Sequence, residues 1–114
     1  MSETNNLSTK SNHKPWETSE WKKLIEHVKV VKGQHLRELL RNEKRSDSLF
    51  VEVDNELGNN IFLDYSRQLV TDKTMELLFK LANVCNLKDK IKALAEGKKI
   101  NTTENRAVLH MALR

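Results

Sequence analysis

The sequence lacks what several classes of protein require. It has one cysteine (Cys85), one proline (Pro15) and three glycines in 114 residues. A single thiol cannot form an intrachain disulfide, which favours a reducing compartment and excludes a disulfide-stapled scaffold. The glycines are scattered, so there is no Gly-rich phosphate loop, and neither a nucleophile elbow nor an H-E-x-x-H motif occurs. No apolar run approaches the roughly 20 residues of a membrane-spanning helix. The N-terminus has no apolar core and does not read as a secretory signal. Asn6-Leu7-Ser8 and Asn101-Thr102-Thr103 are therefore expected to be chance matches to the glycosylation pattern. Charge of one sign is also scarce in excess. Twenty Lys and Arg oppose 16 Asp and Glu, a net +4. The charges are interspersed, which is not a nucleic-acid footprint. Neither a membrane nor a nucleic acid is the expected partner.

What is present is helical periodicity with one interruption. Residues 1–14 are rich in Ser, Asn and Thr and nearly free of apolar residues, so they cannot recover their ordering entropy by burial. They read as a disordered tail, with 15–114 as the folded segment. From Trp16 to Val31, Trp21, Leu24, Ile25 and Val28 recur at helical spacing, with Thr18 or Ser19 as cap and Gly33 as breaker. Leu36, Leu39 and Leu40 mark a short second helix. Asn42 to Asp47 is polar or charged throughout and reads as a loop.

At Leu49 the period changes to two. Leu49, Val51 and Val53 alternate with Phe50 and Glu52. Ile61, Leu63 and Tyr65 alternate with Phe62, Asp64 and Ser66. Gly58-Asn59-Asn60 supplies turn chemistry between them, so the pair predicts an antiparallel hairpin. Two strands alone are marginal in water and must rest on helices or join a larger sheet. Thr71 opens a helix to about Cys85, striped by Met75, Leu78, Ala82 and Cys85 and widened by Leu77, Leu81 and Val84. Asn86 is expected to cap another, with Leu87, Ile91, Leu94 and Ala95 on one face and Gly97 closing it. The fold class expected is mainly α with one β-hairpin.

The last stretch predicts a helix starting at Thr103 and Glu104, with Asn101 and Glu104 at capping-box spacing. Ala107, Val108, Leu109, Met111, Ala112 and Leu113, broken only by His110, are apolar almost all round. A helix of that kind is normally buried on every side. It also lacks a stop signal, so it is expected to need protein around it that this stretch does not encode.

Candidate chemistry is sparse. His13, His27, His35 and His110 show no metal-ligand spacing among themselves or with Cys and carboxylates. His110 can act as an acid or base, but a hydrogen-bonded core histidine is the commoner reading. Glu52, Asp54 and Glu56 lack the glycine and closing Glu of a calcium loop and read as a solvated turn. Asp64 is accounted for by strand alternation. Cys85 reads as a small buried residue. Lys98 and Lys99 with Thr102 and Thr103 at a helix start form the best anion-binding candidate, although capping and solvation also explain them. The residues alone give no convincing active site.

Three segments nevertheless resemble a known family, in order. Leu63-Asp64-Tyr65-Ser66-Arg67-Gln68-Leu69-Val70-Thr71 is similar to L-D-Y-S-K/R-x-x-V/I-T. Gly97-Lys98-Lys99-Ile100-Asn101, followed by Thr103-Glu104-x-Arg106, is similar to G-x-x-I-N-x-T-E-x-R. Thr103 to His110 with Ala112-Leu113-Arg114 is similar to T-E-x-R-A/S-x-L-H-x-A-L-R. All three belong to glucose-6-phosphate isomerases, whose opening also resembles Trp16, Leu24, His27 and His35-Leu36-Arg37-Glu38-Leu39-Leu40.

The resemblance implies an enzyme of glycolysis and gluconeogenesis that interconverts glucose 6-phosphate and fructose 6-phosphate through an enediol. It implies a cytoplasmic homodimer of α/β chains with two sugar-isomerase (SIS-type) domains and no metal or nucleotide cofactor. The reaction needs a carboxylate base, a ring-opening group, a cation for the oxyanion and a Ser/Thr-rich phosphate site. The family's motifs for these have no counterpart here, so no catalytic, substrate-binding, cofactor or metal residue is assigned. The expectation is an N-terminal portion of such an enzyme, inactive alone. The alternative is a stand-alone basic helical module that binds an anionic partner.

Overall fold

The computed structural model describes residues 14–109. Nearly all of the expected tail, His13 included, and the stretch from His110 to Arg114 lie outside the described residues. A turn of 3-10 helix at Pro15–Glu17 leads into α1 (Ser19–Val31). Then come α2 (Leu36–Leu40), α3 (Glu43–Ser48), β1 (Phe50–Asp54), β2 (Asn60–Asp64), α4 (Asp72–Val84) and α5 (Leu87–Ala95). Helices dominate and the only sheet among the described residues is the β1–β2 hairpin, as the periodicities predict.

Each long helix is fixed by its first turn. The Thr18 hydroxyl accepts from the Trp21 N–H at 3.2 Å and donates to the Pro15 carbonyl at 2.6 Å, closing the start of α1. Thr71 caps α4 in a reciprocal box with Thr74: the Thr74 N–H donates to Thr71 Oγ1, and the Thr71 N–H donates to Thr74 Oγ1. The α5 end is a Schellman motif. The Lys98 N–H reaches the Ala93 carbonyl at 2.9 Å and the Gly97 N–H reaches Leu94 at 3.1 Å, with Gly97 left-handed at φ +69°.

α1 packs on α4, and α5 follows on α4. The inward side of α1 is Leu24, His27 and Val31; Trp21, Ile25 and Val28 are exposed. This turns the expected stripe by about one residue, because the histidine has a partner on α4. On α4 the centre of the buried side is Leu77, flanked by half-buried Met75, Leu81, Ala82 and Cys85, while Leu78 is exposed.

Three expectations are corrected. Residues 43–48 are a helix, not a loop: Asn42 Oδ1 accepts from the Arg45 N–H at 3.1 Å, and Arg45 is buried. Asn86 holds the N-cap position of α5 but makes no side-chain cap bond. It is left-handed instead, at φ 54°, a conformation Asn tolerates better than most residues. It thus serves as the bend between α4 and α5. Finally, Thr103 does not open a helix. Residues 101–106 close into a turn in which the Asn101 and Arg106 backbones exchange hydrogen bonds of 3.1 and 3.2 Å. Half of the capping box does form, since Asn101 Oδ1 accepts from the Glu104 N–H at 3.2 Å. Initiating a helix is costly and is usually recovered by packing. Here Leu109 is exposed and Ala107 and Val108 are only half-buried.

The hairpin pairs Val51 with Leu63 and Val53 with Ile61 on one face, and Phe50 with Asp64 and Glu52 with Phe62 on the other. Asn55 organises the connection, its Oδ1 accepting from the Leu57 and Asn59 N–H groups. Gly58 sits in that connection with φ +72°. Every strand residue is exposed. The hairpin is anchored at its base, where Leu49 is 1% exposed and the Tyr65 N–H donates to the Leu49 carbonyl.

Candidate functional site

Among the described residues the most deeply buried polar side chain is Arg45. It lies on the six-residue α3 and is 5% exposed. Its guanidinium reaches into the strap between β2 and α4. Nε donates to the Val70 carbonyl at 2.8 Å, Nη2 to Gln68 at 2.8 Å, and Nη1 to Ser66 at 3.0 Å and, more weakly, to Leu39 at 3.5 Å. Among the described residues no carboxylate pairs with it. Carbonyl dipoles take the place of a counter-ion, which lets a buried cation keep its charge satisfied. A neighbouring bond from the Ser48 hydroxyl to Asp72 Oδ1 at 3.0 Å ties the end of α3 to the start of α4. Nothing in the hydrophobic pattern marks Arg45. The available signal was Asn42 three residues before it with Glu43 between, a helix-start signature.

The second feature is an open groove of about 530 Å³ along α1 and α4, lined by Lys22, Lys23, Glu26, His27, Lys73, Leu77 and Lys80. Its lining is net positive, four lysines against one glutamate, and two of the lysines are held by a further acid beside it. Lys73 and Lys80 both bond Glu76, and these bonds, with the Lys80 bond the larger effect, bring the Glu76 carboxyl down to about 2. Lys29 pairs with Glu26 at 2.7 Å. At the floor, His27 Nε2 and Thr74 Oγ1 are 2.7 Å apart. The groove has no hydroxyl or carboxylate held free for catalysis, and its lysines are exposed.

The sequence candidates do not converge. His35 caps α2, its Nδ1 accepting from the Arg37 N–H at 3.1 Å. His110 lies outside the described residues. Glu52 accepts from the Asn60 side chain across the hairpin at 2.8 Å, and no group of three or more His, Cys, Asp or Glu among the described residues can hold a metal. Asp64 accepts from the Ser66 N–H at 2.9 Å, and hydrogen bonds from the Ser66 side chain and backbone hold its carboxyl below the usual range. It shapes the strap. Cys85 is half-buried and forms no disulfide. Around the anion candidate, Lys98 pairs with Glu96 at 2.6 Å and the Thr103 hydroxyl donates to Asn101 at 2.7 Å. No helix start faces them among the described residues, so the phosphate reading loses its dipole. No described helix is long and apolar enough to cross a membrane.

Comparison with known proteins gives a single answer. The family model described as phosphoglucose isomerase matches residues 64–114, beginning at the strap. The chain is 50% identical over 98 residues to a cytosolic glucose-6-phosphate isomerase of Oenothera sinuata var. hirsuta, covering 86% of this chain and 16% of that enzyme. The cytosolic 1A enzyme of Clarkia lewisii matches to the same extent. The cytosolic B enzyme of Oryza sativa subsp. japonica is 48% identical over the same length and shares. The chain thus spans about a sixth of the length of the curated relatives it matches.

Proposed function

We propose, on the premise that the chain belongs to the phosphoglucose isomerase family, that it is the N-terminal bracing portion of a glucose-6-phosphate isomerase. The whole enzyme interconverts glucose 6-phosphate and fructose 6-phosphate in the cytosol, as a homodimer without metal or nucleotide. This portion supplies packing surface and no catalytic group. The observation that carries the reading is identity near one half sustained over 86% of the chain. Supporting it is the surface of the fold. Val53, Ile61 and Leu63 on the hairpin, with Phe79, Leu87 and Ile91 on α4 and α5, are exposed large apolar residues. Apolar surface of this extent is normally covered by protein.

The alternative, a stand-alone basic module for an anionic partner, would use the lysines of the groove along α1 and α4, of which Lys73 and Lys80 are already held by Glu76. The test is complementation. The chain is assayed alone, then mixed with a cytosolic glucose-6-phosphate isomerase from which the matching segment has been deleted. No turnover alone and recovered turnover in the mixture are expected. Turnover by the chain alone, or tight salt-sensitive binding to nucleic acid without complementation, overturns the reading.

A further inference from the structure

We infer that the Leu39, Ser66, Gln68 and Val70 carbonyls form a receptor for a guanidinium cation, and that Arg45 acts as a latch whose insertion orders the strap between β2 and α4. The inference does not depend on the family reading. Past Tyr65, little else holds the strap. Arg67, Gln68 and Leu69 are exposed, Tyr65 and Val70 are half-buried, and the one buried strap residue is the small polar Ser66, so apolar side-chain burial contributes little there. Of the strap's own bonds, the Gln68 N–H reaches the Tyr65 carbonyl at 3.1 Å and the Ser66 N–H reaches Asp64 at 2.9 Å. Both are local; the strap's own backbone reaches another element only at its first residue, where the Tyr65 N–H donates to the Leu49 carbonyl at 3.0 Å. Three carbonyls in five residues instead turn inward onto one side chain of α3.

The arrangement suits a planar fork of donors. Three different nitrogens reach three different strap carbonyls, and a fourth, longer contact reaches back to α2. An ammonium group offers donors from one point and cannot span these oxygens together. Charge alone therefore does not satisfy the site. With Arg45 absent, three inward-facing carbonyls lose their donor in a place where unpaired groups are costly. The strap must then open to water. Because the ligand is a recognisable chemical fragment, the same cavity should accept it when it is supplied from solution.

The experiment is amide hydrogen exchange at Ser66 and Gln68 in the full chain, in its natural form and as Arg45→Ala and Arg45→Lys. Both variants are expected to exchange at least about tenfold faster at these amides, the change in opening that one lost charged hydrogen bond produces. Millimolar methylguanidinium is expected to restore slow exchange in Arg45→Ala, while methylammonium at equal ionic strength does not. If Arg45→Ala unfolds entirely, helical circular dichroism reads the same comparison: refolding by methylguanidinium and not by methylammonium supports the latch. Unchanged exchange in Arg45→Ala, full protection in Arg45→Lys, or no selectivity between the two cations overturns it.

Discussion

His27 Nε2 on α1 lies 2.7 Å from the Thr74 hydroxyl in the first turn of α4. The same hydroxyl accepts from the Thr71 N–H at 2.9 Å and lies 3.1 Å from Thr71 Oγ1. One oxygen therefore closes the capping box of α4 and joins the two longest helices. The imidazole can donate to the hydroxyl or accept from it, because the hydroxyl can rotate its proton toward Thr71.

Thr74→Val keeps the shape and removes the hydroxyl, leaving the Thr71 N–H and the imidazole without a shared partner. A loss of about 1–3 kcal/mol is expected in urea unfolding, and Thr74→Ser should stay within about 0.5 kcal/mol of the natural chain. Equal losses for both substitutions would show that the methyl group, not the hydroxyl, matters here.

Gly97 is left-handed at φ +69°, and an added Cβ would sit 3.7 Å from the Leu109 side chain, an ordinary contact. Space is therefore not the obstacle; backbone conformation is. Gly97→Ala should cost about 1–2 kcal/mol, and Gly97→Asn should cost visibly less because Asn tolerates this region. Thermal unfolding of the two variants side by side decides it.

The acid limb of stability should carry the Glu76 pair. Hydrogen bonds from Lys80 and Lys73 lower this carboxyl from 4.5 to about 2. A group depressed on folding contributes stability above its unfolded value, and that contribution is lost as pH falls from about 4.5 through about 2. The carboxyl titration followed by NMR at low salt should show the low midpoint. Lys80→Met should raise it, and added salt should weaken the effect because the pairs are exposed. A low-salt midpoint near 4.5 contradicts this.

How much of this was legible in the sequence follows from which force fixes each element. α1, α4 and the hairpin are readable because apolar periodicity agrees with the caps and the turn, and the Thr71 start falls where expected; α5 is readable from its period and the Gly97 stop, although Asn86 makes no cap bond. α3 is not, because it has no apolar stripe: its local signal is the Asn42 cap alone, and what buries it is tertiary, Arg45 reaching carbonyls 21 to 25 residues away. The turn at Asn101–Arg106 was missed for the opposite reason. Its local helix-start chemistry is real, but the apolar residues that follow gain little burial, Leu109 being exposed and Ala107 and Val108 half-buried. The candidate chemistry at Lys98 and Lys99 depended on that helix and did not survive its absence. The stripe on α1 shifted because His27, polar by composition, is held inward by Thr74.

The hairpin was predicted to rest on helices or join a larger sheet, yet both its faces are open. Ile61→Thr and Leu63→Thr should therefore change the stability of this chain by no more than about 0.5 kcal/mol, the usual range for surface positions. They should reduce self-association in sedimentation, since they thin an exposed aliphatic face. A loss of several kcal/mol would mean that this face is already covered in the isolated chain.

The central claim is that these apolar faces are built to be covered by the remainder of a phosphoglucose isomerase. Oxidative surface labelling of Ile61, Leu63, Phe79 and Ile91 addresses it, comparing the chain alone with the chain reconstituted with that remainder. The account predicts strong labelling of all four alone and protection of the hairpin pair on reconstitution. Equal labelling of Ile61 and Leu63 in both samples, with isomerase activity restored, would contradict it.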